Sequence, residues 1–157
     1  MAYKDPENTI VMETSKGKVV IQLLPALAPK HAERIKQLSR EGFYDGIVFH
    51  RVIDGFMAQV GCPQGTGTGG SKHPNLQAEF NNEPHVRGVC SMARSSSPNS
   101  ANSQFFICFD DAASLNKQYT VWGKVIEGMD NVDKIKKGEP VQNPDKIVSM
   151  KVAADIK

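Results

Sequence analysis

Cysteine, tryptophan and long apolar runs are all scarce in this chain of 157 residues. Its 3 cysteines, Cys62, Cys90 and Cys108, are an odd number in no Cys-x-x-Cys spacing. That argues against a disulfide framework or a structural zinc site and for free thiols. No apolar run approaches the roughly 18 residues that a membrane span needs. Charge is nearly balanced, 19 Lys+Arg against 17 Asp+Glu, with no like-charge block beyond a short lysine cluster at 134–137, so neither nucleic acid nor a membrane is an expected partner. The N-terminal stretch MAYKDPENTIVMETSKG lacks an uninterrupted apolar segment of the secretory kind, and a cytoplasmic setting is expected.

Several catalytic signatures are missing as well. The glycine-rich GTGTGG at 65–70 is followed by SKHPNLQ, with neither a Gly-Lys-Ser/Thr ending nor a strand–helix context, so it is not read as a phosphate cradle. There is no Gly-x-Ser-x-Gly elbow, and the serines of 95–103 sit in a small-residue loop without an evident histidine partner. The histidines His31, His50, His73 and His85 show no metal-ligand spacing, so neither a metal nor any other cofactor is expected.

What is present is enough for one domain over 1–157, long enough to bury roughly two thirds of its unfolded surface. Residues 9–24 read as a hairpin, with Val19, Ile21 and Leu23 alternating onto one face after the turn SKGK. APKHAERIKQLSREGF at 28–43 predicts a helix, with Pro29 in its first turn, Ala32, Ile35 and Leu38 at helical spacing, and Gly42 as a stop. FHRVIDGFMAQVG at 49–61 reads as two strands about the turn Ile53-Asp54-Gly55-Phe56. Loops at 65–82 and 95–103 precede the apolar segments VCSMA and FFICF. TVWGKVIEG is a further strand, MDNVDKIKK a short helix ending at Gly138, and KIVSMKVAADI a last strand with Val148, Met150 and Val152 alternating. About eight strands and two separate helices, without strand–helix alternation, predict an antiparallel barrel or sandwich with helices at its ends.

One cluster stands apart chemically. Phe49, Arg51, Phe56, Met57 and Gln59 lie in one stretch, and Gln104, Phe105 and Phe106 in another, combining apolar surface, one cation and two amides. Strand alternation places Phe49, Arg51 and Ile53 on one face, and Gln104, Phe106 and Cys108 on another. On spacing alone, Arg51 is equally an ordinary surface arginine snorkelling over apolar neighbours.

At these residues the sequence resembles the cyclophilin family of peptidyl-prolyl cis-trans isomerases. The likeness runs through FHRVIDGFMAQVG, GTGTGG leading into AEFNNE, GVCSMA, NSQFFI and WGKV, in the family's order, and its short loops look like the compact bacterial members. The resemblance implies a mainly β fold, a closed eight-stranded antiparallel barrel capped by two α-helices, with the active groove outside the barrel. It implies catalysis by Arg51, with His50 and Gln59 beside it, and a proline pocket walled by Phe56, Met57 and Phe106 and bordered by Leu115. It further implies that Gln104 holds the substrate backbone and that Ala93 lines the neighbouring subsite. Arg94 follows Ala93 where Asn is common, and Tyr119 stands where His is common, so both are read as substrate-binding. Ser114 replaces a rim Trp, from which weak cyclosporin binding is expected.

The implied activity is rotation about X-Pro bonds in peptides and folding proteins, assisting folding, without a cofactor. Nothing resembling a coiled coil or a dimer helix is visible, so a monomer is the default expectation. The alternative is a catalytically silent proline-peptide binding module or holdase using the same groove, which Arg51 disfavours. A barrel hydrolase is disfavoured by the missing nucleophile elbow.

Overall fold

Period-2 alternation at the start of the chain builds the first hairpin, β1 (Thr9–Thr14) and β2 (Gly17–Leu23), in the computed structural model, which describes residues 5–67, 69–139 and 141–156. Val19, Ile21 and Leu23 all point into the main core, as their spacing predicts. Thr68, within the glycine-rich tract, lies outside the described residues.

The first helix, α1 (Pro29–Arg40), buries Ala32, Ile35 and Leu38 and begins with proline at its first position. Ala28 offers its N-terminus no side-chain cap. The carboxylate of Glu79 supplies one instead, accepting from the backbone N–H of Lys30 at 3.2 Å and of His31 at 2.9 Å. Gly42, at φ +72°, turns the chain out of the helix.

Six more strands follow: β3 (Arg51–Ile53), β4 (Met57–Val60), β5 (Val89–Met92), β6 (Phe105–Cys108), β7 (Val121–Glu127) and β8 (Ile147–Val152). They form one antiparallel sheet of 8 strands in the order β3-β4-β6-β5-β7-β2-β1-β8. Alternation sorts its side chains into two clusters. Ala58, Val60, Phe105, Ile107, Cys90 and Met92 face the main core, which both helices help to fill. Met57, Phe106, Cys108, Val89 and Val121 face the other way and make a smaller apolar cluster on the outside.

The expected closed barrel is corrected to an open half-barrel: β3 and β8, the ends of the strand order, share no ladder. Between them run a single bridge, Val48 to Lys146, and backbone bonds such as Phe49 N–H to Asp145 O at 2.8 Å. β3 is only 3 residues long, and its free edge is covered by Gly138, which exchanges two backbone bonds with Val52. This irregular approach to β8 carries Pro144, which has no N–H to offer a ladder.

Three local expectations also change. The second helix, α2, spans Met129–Asp133 and ends well before Gly138. Phe49 belongs to the main core and does not share a face with Arg51, because it precedes β3 and follows the bridge at Val48. In β8, a register shift opposite Glu13 and Thr14 makes Val148 a bulge, turning it out to solvent at 53% exposure while Ile147 takes the buried place.

Candidate active site

The outer face of β3, β4, β6 and β5 is organised as cross-strand rows. Arg51 stands opposite Gln59, Gln59 opposite Phe106, and Phe106 opposite Ser91. The next row sets Ile53 against Met57 and Met57 against Cys108. Residues far apart in the chain therefore meet because register puts them on one pleat.

The polar members of these rows form a relay. Glu139 accepts from Arg51 Nε at 2.5 Å, and Arg51 Nη1 reaches Gln59 Oε1 at 3.5 Å. Gln59 Nε2 donates to Gln104 Oε1 at 2.9 Å. Gln104 Nε2 in turn donates to the carbonyls of Gly67 and Gly69, at 3.0 and 2.9 Å. The glycine-rich loop is thus an anchor for the site's amides. Cys62 holds the same loop from beneath, its buried Sγ accepting from Gly67 and Gly69 N–H, both at 3.3 Å. Burial opposes ionisation of that thiol, but backbone donors from Gly69, Thr66, Gly67 and Gln64 outweigh it and draw its pKa down to about 7.

Beside Arg51 opens a cavity of about 230 Å³ walled by Phe56, Met57, Phe106, Leu115 and Tyr119. Its aromatic wall is fixed edge to face: Tyr119 meets Phe106 at 5.7 Å between centroids and 84° between planes. The guanidinium of Arg94 sits over the Tyr119 ring, 4.7 Å from its centroid. Gln59, Ala93 and Arg94 border this cavity and also a second, polar one of about 430 Å³, which Gln104 lines.

Of the residues singled out in the sequence, the structure gathers Arg51, Phe56, Met57, Gln59, Ala93, Arg94, Phe106, Leu115 and Tyr119 around the apolar cavity, and Gln104 joins them through the relay. His50 and Ser114 are not among its lining residues. His50 is buried against Gly67, where an added Cβ would sit 3.3 Å from its Nε2, and burial together with the Arg51 charge keeps its pKa low.

Sequence reasoning missed two contributors. Glu139 comes from the loop after α2, 88 positions from Arg51, and nothing local marks it as a partner. His85 lies in a buried position behind Phe106, stacked on it at 6.2 Å and 22°, and held by Ser91 Oγ at 2.9 Å and Asn116 Oδ1 at 3.1 Å. Burial lowers its pKa, with the Asn116 bond opposing.

The arrangement suits neither nucleophilic attack nor proton abstraction. Arg51 is fixed at the rim of an apolar hollow and keeps N–H donors beyond those bound to Glu139 and Gln59.

Comparison with known proteins gives a consistent result. The family model described as "Cyclophilin type peptidyl-prolyl cis-trans isomerase/CLD" matches residues 9–152. A probable peptidyl-prolyl cis-trans isomerase of Brucella suis is 56% identical over 169 residues, covering 98% of this chain and 86% of that protein. A peptidyl-prolyl cis-trans isomerase of Synechococcus elongatus is 39% identical, covering 92% of this chain and 96% of its own. Among solved structures, the cyclophilin AquaCyp293 from Hirschia baltica superposes with a TM-score of 0.91 at 32% identity, covering 98% of this chain and 76% of that one. A Cryptosporidium parvum cyclophilin-type isomerase, crystallised in the presence of the dipeptide Ala-Pro, gives 0.85 at 29% identity, covering 92% of this chain and 98% of that one.

Proposed function

The chain belongs to the cyclophilin-type peptidyl-prolyl cis-trans isomerases and is an enzyme of that class, and on that premise we propose that the outer groove at Arg51 is where it rotates X-Pro bonds. The observation that carries this reading is a guanidinium, braced by Gln59 and Glu139, at the mouth of an apolar cavity of about 230 Å³.

Rotation must break amide resonance, a barrier of about 18–20 kcal/mol, which leaves X-Pro bonds isomerising in tens to hundreds of seconds. No bond has to be made or cleaved. Bringing the step to milliseconds takes roughly a 10⁴-fold gain, about 5.5 kcal/mol. A site that binds the twisted amide better than either planar form supplies it.

In the twisted state the proline nitrogen recovers its lone pair, and a donor aimed at that nitrogen gains an acceptor that the planar amide does not present. Arg51 is that donor. One preorganised donor in a partly dry site is worth about 2.7–4 kcal/mol, by analogy with oxyanion-hole deletions. Desolvation of the proline ring against Phe56, Met57 and Phe106 and holding of the peptide by Gln59 and Gln104 account for the rest. His50 acts through the loop at Gly67 and Arg51, not on the substrate. The physiological substrates are proline-containing segments of folding proteins, and the protein works as a cytoplasmic monomer of one domain. Cyclosporin binds weakly, since Ser114 offers no aromatic rim.

Magnetisation-exchange NMR on a short Ala-Pro peptide tests the reading. Catalytic amounts of the protein speed cis-trans exchange; binding without any speeding would make the groove a recognition module and overturn the assignment of catalysis to it.

A further inference from the structure

Arg94 is held differently from Arg51. Its Nε and Nη2 both donate to the Gln118 carbonyl, at 3.0 and 2.8 Å, and Nη1 donates to the carbonyls of Ser95 and Ser96, at 2.9 and 3.4 Å. Its guanidinium lies over Tyr119. These contacts fix the group in place, yet every acceptor is neutral, whereas the charge of Arg51 is paired with Glu139. Arg94 makes no ion pair among the described residues, and no described residue lining either cavity is acidic.

The position of this cation matters as much as its state. Arg94 borders both the apolar cavity and the polar one, together with Gln59 and Ala93. A peptide with its ring in the first cavity and a neighbouring side chain in the second must pass it. The second cavity is furnished for a polar guest, with Ser71, Asn75, Ser100 and Asn102 among its lining. A fixed guanidinium loses little freedom on binding an anion, and its remaining N–H can make a charge-assisted bond to a carboxylate.

Resting on the reading of this groove as the isomerase site, we infer that Arg94 makes the enzyme select prolines with an acidic side chain within two residues, the carboxylate lying in the polar cavity beside the proline pocket. The carbonyl contacts position the arginine; its unneutralised charge sets the preference.

The test compares kcat/KM for peptide sets that carry Glu, Gln or Lys at each of the two positions before and the two positions after one proline. At low salt, Glu is favoured over Gln by roughly three- to fivefold at one or more positions, the size of a partly screened ion pair, and Lys is disfavoured. The preference shrinks toward unity as salt rises to about 1 M, where screening acts within a few ångströms. Arg94→Lys retains a Glu preference and Arg94→Gln abolishes it, whatever the absolute rates of the variants. A structural tether alone would not make the Glu/Gln ratio depend on salt. Equal rates for Glu, Gln and Lys at every position in the wild type overturn the inference alone, as does a Glu preference that survives in Arg94→Gln. Absence of acceleration on every peptide overturns the reading of the site and the inference with it.

Discussion

Mild acid should weaken this fold through its histidines. His31, His50 and His85 are buried, at 0%, 8% and 1% exposure, and in each burial depresses the pKa. The Glu79 carboxylate opposes this at His31 and the Asn116 bond opposes it at His85, while the Arg51 charge adds to it at His50. A group whose folded pKa lies below its unfolded value near 6.5 contributes stability that is complete above that pH and is lost as pH falls. Below about pH 6.5 the unfolded chain takes up protons that the native one binds less readily, a loss whose ceiling is on the order of 1 kcal/mol per histidine by pH 5.5. Even a part of that ceiling is measurable against the roughly 5–15 kcal/mol typical of a domain. Glu79 does not blur the window, because its own depressed pKa moves its loss to still lower pH. Urea unfolding at pH 7.5 and 5.5 measures the difference, and with His85→Gln, which removes one of the three groups, the difference should shrink. Equal stability at the two pH values, or His31 and His85 ring protons titrating near 6.5 by NMR, would refute the reasoning.

Gly61 is at φ +107°, and an added Cβ would stand 2.5 Å from Ser103 O and 2.8 Å from Gln104 Cα, so Gly61→Ala should cost about 2–4 kcal/mol by urea unfolding. Gly55→Ala meets nothing within 4 Å and should cost only its backbone strain, about 1–2 kcal/mol. The β8 bulge predicts that Ile147→Ala costs about 2–5 kcal/mol while Val148→Ala stays within about 0.5; equal costs would place the bulge elsewhere. Cyclosporin should inhibit Ser114→Trp more strongly than the wild type, as judged by residual exchange activity at fixed drug concentration.

Elements governed by local rules were legible in the sequence. The first hairpin, α1 and the β3–β4 turn follow from alternation, helical spacing and Gly55, because each rests on interactions within a few residues. That Phe56, Met57 and Phe106 line one cavity was expected from the family resemblance of their motifs, and the register of β4 and β6 brings them together. Glu139 and His85 were not, since each reaches the site through register and packing that no local window records. Strict alternation also misplaced Val148 and Phe49, because a bulge and a bridge reset the phase of the strands beside them. The expected closure failed at the same edge, where a 3-residue strand is covered by an irregular segment and not by a neighbouring ladder.

The central claim is that Arg51 catalyses rotation electrostatically. Its direct test is cis-trans exchange of an Ala-Pro peptide with wild-type protein, Arg51→Ala and Arg51→Lys, each shown to be folded by near-ultraviolet circular dichroism. The account predicts that Arg51→Ala loses about 100- to 1000-fold in kcat/KM, the worth of one preorganised donor, with a smaller loss for Arg51→Lys. Wild-type rates in folded Arg51→Ala would contradict it.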